Sequence, residues 1–168
     1  MSDETEEIGQ ISGPPAWLPS LASVLALVGL ADSIYLTVHH YTAEPVPCSV
    51  THGCEQVLTS SYAEIAGVPL AAFGAAAYFL AFCFALLAAF GNRSMWRFFG
   101  IQTTLMALMS VWLIYIQAAV IGAYCQYCLV SAGTSITLFV LFLVSLLFRR
   151  RTDARNLTES EISLEANQ

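Results

Sequence analysis

The chain has 168 residues, 57% of them hydrophobic and 11% charged, with a mean hydropathy of +0.67 and a net charge of −6. A soluble domain carries about a quarter charged residues, so an ordinary water-soluble globule is excluded, and so is a disordered chain, which is short of large apolar side chains. All six basic residues are arginine and none precedes Arg93, so no basic patch is available to grip nucleic acid, and the length allows one small domain.

Residues 1–13 read as an acidic tail, expected to be disordered. Four apolar runs follow within a core of residues 14–148: Trp17–His39, Val68–Phe90, Phe98–Ile121 and Tyr124–Phe148. Each has 23 to 25 residues, and about 20 span a bilayer core as helix. No run alternates with a period of two, so helices are the way to satisfy the backbone in lipid. The first run is too long and its flank too acidic for a signal peptide.

Asp32 lies inside the first run, seven residues before His39. An ionisable residue within a span is a functional candidate. Two readings stand: a proton route, with Tyr35 as a candidate partner, or a bond to a neighbouring helix. The loop 40–67 starts around Glu44-Pro45-Val46-Pro47, where prolines favour extended backbone. Beyond Cys54, Leu58, Tyr62 and Ile65 fall at i, i+4, i+7, which predicts a short amphipathic surface helix ending before Gly67. Pro69 suits the start of span two, where a missing N–H costs nothing. Gly74 with Ala71, Ala75 and Ala77 predicts a close helix contact. Trp17, Trp112, Tyr115, Tyr124 and Tyr127 are assigned to packing or interface anchoring.

Arg93 and Arg97 sit between spans two and three, and Arg149, Arg150, Arg151 and Arg155 follow span four. Four crossings bring both groups and both termini to one side, which the positive-inside rule makes cytoplasmic. The expected fold is therefore an all-α integral membrane four-helix bundle. It carries a cysteine-bearing non-cytoplasmic loop and ends in a cytoplasmic tail, 149–168, disordered from about residue 152.

Of five cysteines, Cys48 and Cys54 lie in the loop, and Cys125 and Cys128 begin span four after the Gly122-Ala123 link. The non-cytoplasmic side is the oxidising one, where disulfides persist. Cys83, mid-span, reads as a small buried apolar residue. A C-x-x-C at a helix N-terminus favours a thiolate, because free N–H groups stabilise negative charge there. That arrangement serves disulfide exchange or a purely structural disulfide, and a second pair on the same face favours exchange. The competing use is a zinc site drawn from the cysteines, His52, His39 and His40, but their spacings are poor for zinc.

The stretch Pro47-Cys48-Ser49-Val50, then Gly53-Cys54-Glu55-Gln56-Val57-Leu58-Thr59-Ser60-Ser61, then Gly67-Val68-Pro69 and Cys125-Gln126-Tyr127-Cys128, resembles the vitamin K epoxide reductase family in its bacterial form. The resemblance covers roughly residues 15–148. It implies a quinone-dependent thiol oxidoreductase of the bacterial inner membrane, with a membrane quinone of menaquinone or ubiquinone type as cofactor. Cys48 would exchange with a periplasmic thioredoxin-fold (DsbA-like) partner. Cys54 would attack Cys125 in a Cys125–Cys128 disulfide, and Cys128 would be the thiolate beside the quinone. Ser60 matches a loop serine near the quinone. Bacterial members often carry a fused thioredoxin-like domain. None follows here, so a separate partner protein is expected. A tyrosine of the vertebrate members falls at Ala132. A DsbA-type partner has a potential near −120 mV, so its reoxidation needs an acceptor of still higher potential, which a quinone supplies. Quinone epoxide reduction with the same cysteines is the alternative enzymatic reading, and metal binding or transport the non-enzymatic one.

Overall fold

The computed structural model describes residues 17–165; the segment expected as an acidic tail, 1–13, lies outside them. Four helices are long and apolar enough to cross a membrane: Trp17–Thr42, Leu70–Ala89, Arg93–Ile121 and Gln126–Arg151. This makes the chain a multi-pass membrane protein. In chain order the elements are α1 (Trp17–Thr42), α2 (Cys54–Leu58), β1 (Glu64–Ile65), β2 (Val68–Pro69), α3 (Leu70–Ala89), α4 (Arg93–Tyr115), a π-helical turn (Ile116–Ile121) and α5 (Gln126–Glu165).

The bundle is held by small residues against large ones. Ala22 and Ala26 of α1, Tyr78, Ala81 and Ala85 of α3, Trp96 and Phe99 of α4 and Leu138 of α5 form one buried cluster. With lipid outside, there is no strong hydrophobic drive between helices, so close approach and internal hydrogen bonds carry the association. A Cβ on Gly29 would collide with the Tyr78 ring, so the glycine lets that aromatic lie directly on α1. The Tyr78 hydroxyl then donates to the Ser131 carbonyl on α5 at 2.5 Å. Trp96 stacks on Phe99 with centroids 4.7 Å apart and donates from Nε1 to Ser145 Oγ at 2.8 Å. Gly74 faces Ser33 of α1, whose Oγ would lie 3.2 Å from an added Cβ, the close contact expected of that small-residue stretch. Large apolar side chains such as Val24, Leu105, Val111 and Leu147 are exposed around the outside, where lipid would meet them.

Two local expectations are overturned. The stripe Leu58, Tyr62 and Ile65 does not share a helix. α2 stops at Leu58, and β1 and β2 pair antiparallel, Glu64 with Pro69 and Ile65 with Val68. Side-chain hydroxyls compete with the helix here, Thr59 donating to the Glu55 carbonyl and Ser60 to that of Val57, each at 2.7 Å. Ala66 and Gly67 both hold positive φ, 55° and 79°, as a two-residue hairpin turn demands. The second correction is at the far end. The segment from residue 152, expected to be disordered, continues α5 as helix to Glu165. It contains neither Gly nor Pro and extends a helix already nucleated by the span, so only the low cost of propagation remains.

Candidate active site

The site forms where α1 ends, α3 begins, and the π-helical turn passes into α5. Gly122, at φ 70°, turns the chain after Ile121. The short link delivers Cys125 directly before the first turn of α5.

All four expected cysteines meet there. Cys48 and Cys54 form a disulfide, while Cys125 and Cys128 are free thiols. Cys54 and Cys125 are fully buried in one cluster with Val57 and Ala123, with Cys48, Leu58 and Cys128 packed against it. The approach depends on Gly53. A Cβ there would lie 2.8 Å from the Tyr124 carbonyl oxygen and 3.1 Å from the Ala123 Cβ. Cys83 sits apart in α3, half-buried.

The two residues between the C-x-x-C cysteines clamp the loop. Gln126 Oε1 accepts from the Val50 N–H at 3.1 Å, and its Nε2 donates to the Pro47 carbonyl at 3.3 Å. The Tyr127 hydroxyl donates to the same carbonyl at 3.1 Å. Tyr127 also packs against Tyr35, with centroids 5.3 Å apart. Thus the motif holds the Cys48 segment as well as supplying thiols.

Cys125 is held on its other side by Gln117, whose Oε1 accepts the Cys125 N–H at 3.0 Å. The Cys128 N–H points at Cys125 Sγ, 3.5 Å away. The Cys125 thiol is shifted down to about 7, chiefly by the Cys128 thiol donating to its sulfur, with help from the Cys128 and Tyr127 amides against opposing burial and the Asp32 charge. In this redox arrangement the thiolate character lies on Cys125, which shares a buried cluster with Cys54 of the loop disulfide.

Beside the thiols is a cavity of about 150 Å³, a volume known elsewhere to accept a benzene-sized ring. Its wall includes Cys128, Ser60, Gln117, Leu113, Ile114 and Ala132. Ser60 lines this cavity, and its hydroxyl proton is directed at the Val57 carbonyl. The lining is mostly apolar with a few polar groups, the usual build of a pocket for a planar organic molecule. The residues present therefore fit a quinone ring.

Asp32 shares a face of α1 with Gly29 and Tyr35, three residues away on either side, and so lies between Tyr78 of α3 and Tyr127 of α5. Its buried Oδ2 has no hydrogen-bond partner among the described residues. No group of three or more His, Cys, Asp and Glu converges as metal ligands among the described residues. His40 instead pairs with Glu64 at 3.2 Å.

Gln117, Gln126 and the loop-holding role of Tyr127 were not singled out from the sequence. Gln117 did offer a signal, being a neutral amide inside an apolar run.

The profile of the vitamin K epoxide reductase family matches residues 20–143. The chain belongs to this family. It is also 38% identical over 122 residues to the thiol-disulfide oxidoreductase LTO1 of Arabidopsis thaliana, a match covering 67% of this chain and 32% of the relative. The chain thus matches about a third of that relative's length. The matched family region contains both cysteine pairs and every wall residue named above.

Proposed function

We propose that this member of the family is a quinone-dependent thiol-disulfide oxidoreductase. It carries electrons from an extracytoplasmic thioredoxin-fold dithiol through Cys48 and Cys54 to Cys125 and Cys128. The observation that carries the reading is the packing of both pairs in one buried cluster, with Cys128 in the wall of a ring-sized cavity.

The chain's own part follows from that geometry. Partner thiolate attacks Cys48, releasing Cys54, and the partner's second thiol then closes its own disulfide. Cys54 as thiolate attacks Cys125 in the oxidised C-x-x-C, releasing Cys128, and re-forms its bond to Cys48 as Cys125 leaves. Each step exchanges one S–S bond for another, so the loop pair ends oxidised and the C-x-x-C reduced, the redox arrangement seen here. A bound quinone would accept the two electrons and two protons that leave the C-x-x-C dithiol as its disulfide re-forms. Gln117 and the π-helical turn fix Cys125 at the start of α5, and Cys128 stands in the wall of that space.

The arginine end is assigned to the cytoplasm, because Arg93, Arg97 and Arg149 to Arg151 cluster at the end opposite the cysteines. On that assignment, and in a bacterial inner membrane as proposed, the disulfide chemistry would face the oxidising side. The test is quinone reduction by purified protein, followed as loss of quinone absorbance with a reduced thioredoxin-fold protein as donor. Rapid reduction by the wild type and none by Cys128→Ser is the expected result. Equal slow loss in both would remove the relay reading.

A further inference from the structure

We propose that Gln117 is the hydrogen-bond donor that holds a carbonyl oxygen of the quinone ring, and that the Cys125 backbone N–H sets it in that role. This rests on the quinone reading above and names the residue that recognises the ring.

A glutamine amide has one acceptor end and one donor end. The Cys125 N–H, 3.0 Å from Gln117 Oε1, can be answered only by the oxygen. Rotating the amide would set two donors against each other. The Nε2 end is thereby fixed as the free end. No hydrogen bond from Nε2 is found among the described residues. Gln117 is only 4% exposed, but its Nε2 is not among the fully buried unpaired atoms, so that end keeps a little accessible surface. The space that Gln117 does border is the cavity it shares with Cys128. An amide donor left without a partner is unfavourable, and a carbonyl oxygen placed in the cavity would give it one.

Most other polar groups of the wall are already committed. Ser60 donates to the Val57 carbonyl at 2.7 Å. Ser135 donates to the Ala132 carbonyl at 3.0 Å, which leaves Ser110 as donor in the 2.6 Å contact between their hydroxyls. Tyr78 donates to the Ser131 carbonyl, so Ser131 Oγ spends its proton on the Tyr78 oxygen 3.2 Å away. His40 Nε2 faces Glu64. Tyr62 is 49% exposed, so water competes for its hydroxyl; Ser33, whose hydroxyl has no hydrogen bond among the described residues, is the rival donor that the experiment tests against Gln117. The position of Gln117 in the π-helical turn fits this role, since such turns recur at functional sites. One side chain thus sets the start of α5, where Cys125 stands, and presents a donor to the ring that Cys128 would meet. An amide donor at a carbonyl oxygen would also bind more strongly as that oxygen gains electron density.

The experiment measures menadione binding by quenching of tryptophan fluorescence, in protein pre-oxidised with diamide so that no turnover occurs. Wild type, Gln117→Met, Gln117→Glu, the rival-donor variant Ser33→Ala and the control Cys83→Ala are compared. Gln117→Met is expected to bind at least tenfold more weakly, Cys83→Ala, outside the cavity, like the wild type, and Ser33→Ala to lose less affinity than Gln117→Met. In turnover, Gln117→Met is expected to raise KM for quinone and leave KM for the dithiol donor unchanged. Gln117→Glu keeps an acceptor for the Cys125 N–H and guards against a folding defect. It is expected to bind weakly at pH 9 and to recover as the pH falls and its carboxyl regains a proton to donate. Wild-type binding matched by both Gln117 variants at every pH, or lost in Ser33→Ala instead, would overturn the assignment while leaving the quinone reading intact. No menadione binding by the wild type would overturn the quinone reading and the assignment together.

Discussion

The two ends of the bundle are built on different terms. At the arginine end, Trp96, Phe99, Leu138 and Phe142 fill the space between helices, and Ser145 answers the one indole N–H. At the cysteine end the elements are short, the turns need positive φ at Ala66, Gly67 and Gly122, and a cavity is left open. The first end is packed as a protein interior is packed. The second gives up that density for a loop held by a few hydrogen bonds, which lets Cys48 and Cys54 be docked against Cys125 and still be released. Substitutions at the cysteine end should therefore change rate far more than stability, and those at the arginine end the reverse.

The largest effect is expected for the thiols. Cys48→Ala, Cys54→Ala, Cys125→Ala and Cys128→Ala should each reduce dithiol-dependent quinone reduction to background, while Cys83→Ala stays near the wild type. Full activity in any of the four would break the relay. Next is Gly53→Val, which drives a side chain into the Tyr124 backbone. A displacement near 1 Å costs on the order of a hundredfold in rate, with little change in thermal stability. Trp96→Ala tests the other end. It should cost about 3–5 kcal/mol in stability, read in denaturation, while the rate per folded molecule holds. Loss of rate in step with stability would mean that the two ends are not separable.

The pH dependence follows from Cys125, whose thiol is held down to about 7, against an ordinary value near 8.5. Its thiolate fraction falls as pH drops through 7, so the ultraviolet thiolate absorbance that Cys125→Ala removes should fall to half its plateau near pH 7. A midpoint near 8.5 would contradict the hydrogen bonding described around its sulfur. The smallest effect is expected for Tyr127→Phe. It removes one hydrogen bond to Pro47, worth about 1 kcal/mol, and should change the partner's KM only a few-fold.

The four spans were legible because long apolar runs have one solution in lipid. The gathering of Cys48, Cys54, Cys125 and Cys128 at one end followed from counting crossings. The hairpin of β1 and β2 was not legible. Leu58, Tyr62 and Ile65 carry a helical period, and only the hydroxyls of Thr59 and Ser60 and the Ala66-Gly67 turn argue against it. The extension of α5 past Arg151 was missed because polar composition alone was taken as disorder, without weighing the absence of Gly and Pro. Ser60 was singled out through the resemblance alone; that its proton is committed to Val57 depends on the end of α2. Gln117 was missed because its meaning depends on the Cys125 N–H eight residues later, a contact made by the π-helical turn and Gly122.

The central claim is that Cys54 and Cys125 are direct exchange partners. The most direct test leaves only those two thiols of the relay, in a Cys48→Ala/Cys128→Ala double variant. Mild oxidation followed by mass spectrometry of peptides from purified protein should then give an intramolecular Cys54–Cys125 disulfide in near-quantitative yield. Two thiols that stay free, or that pair only between molecules, would contradict it.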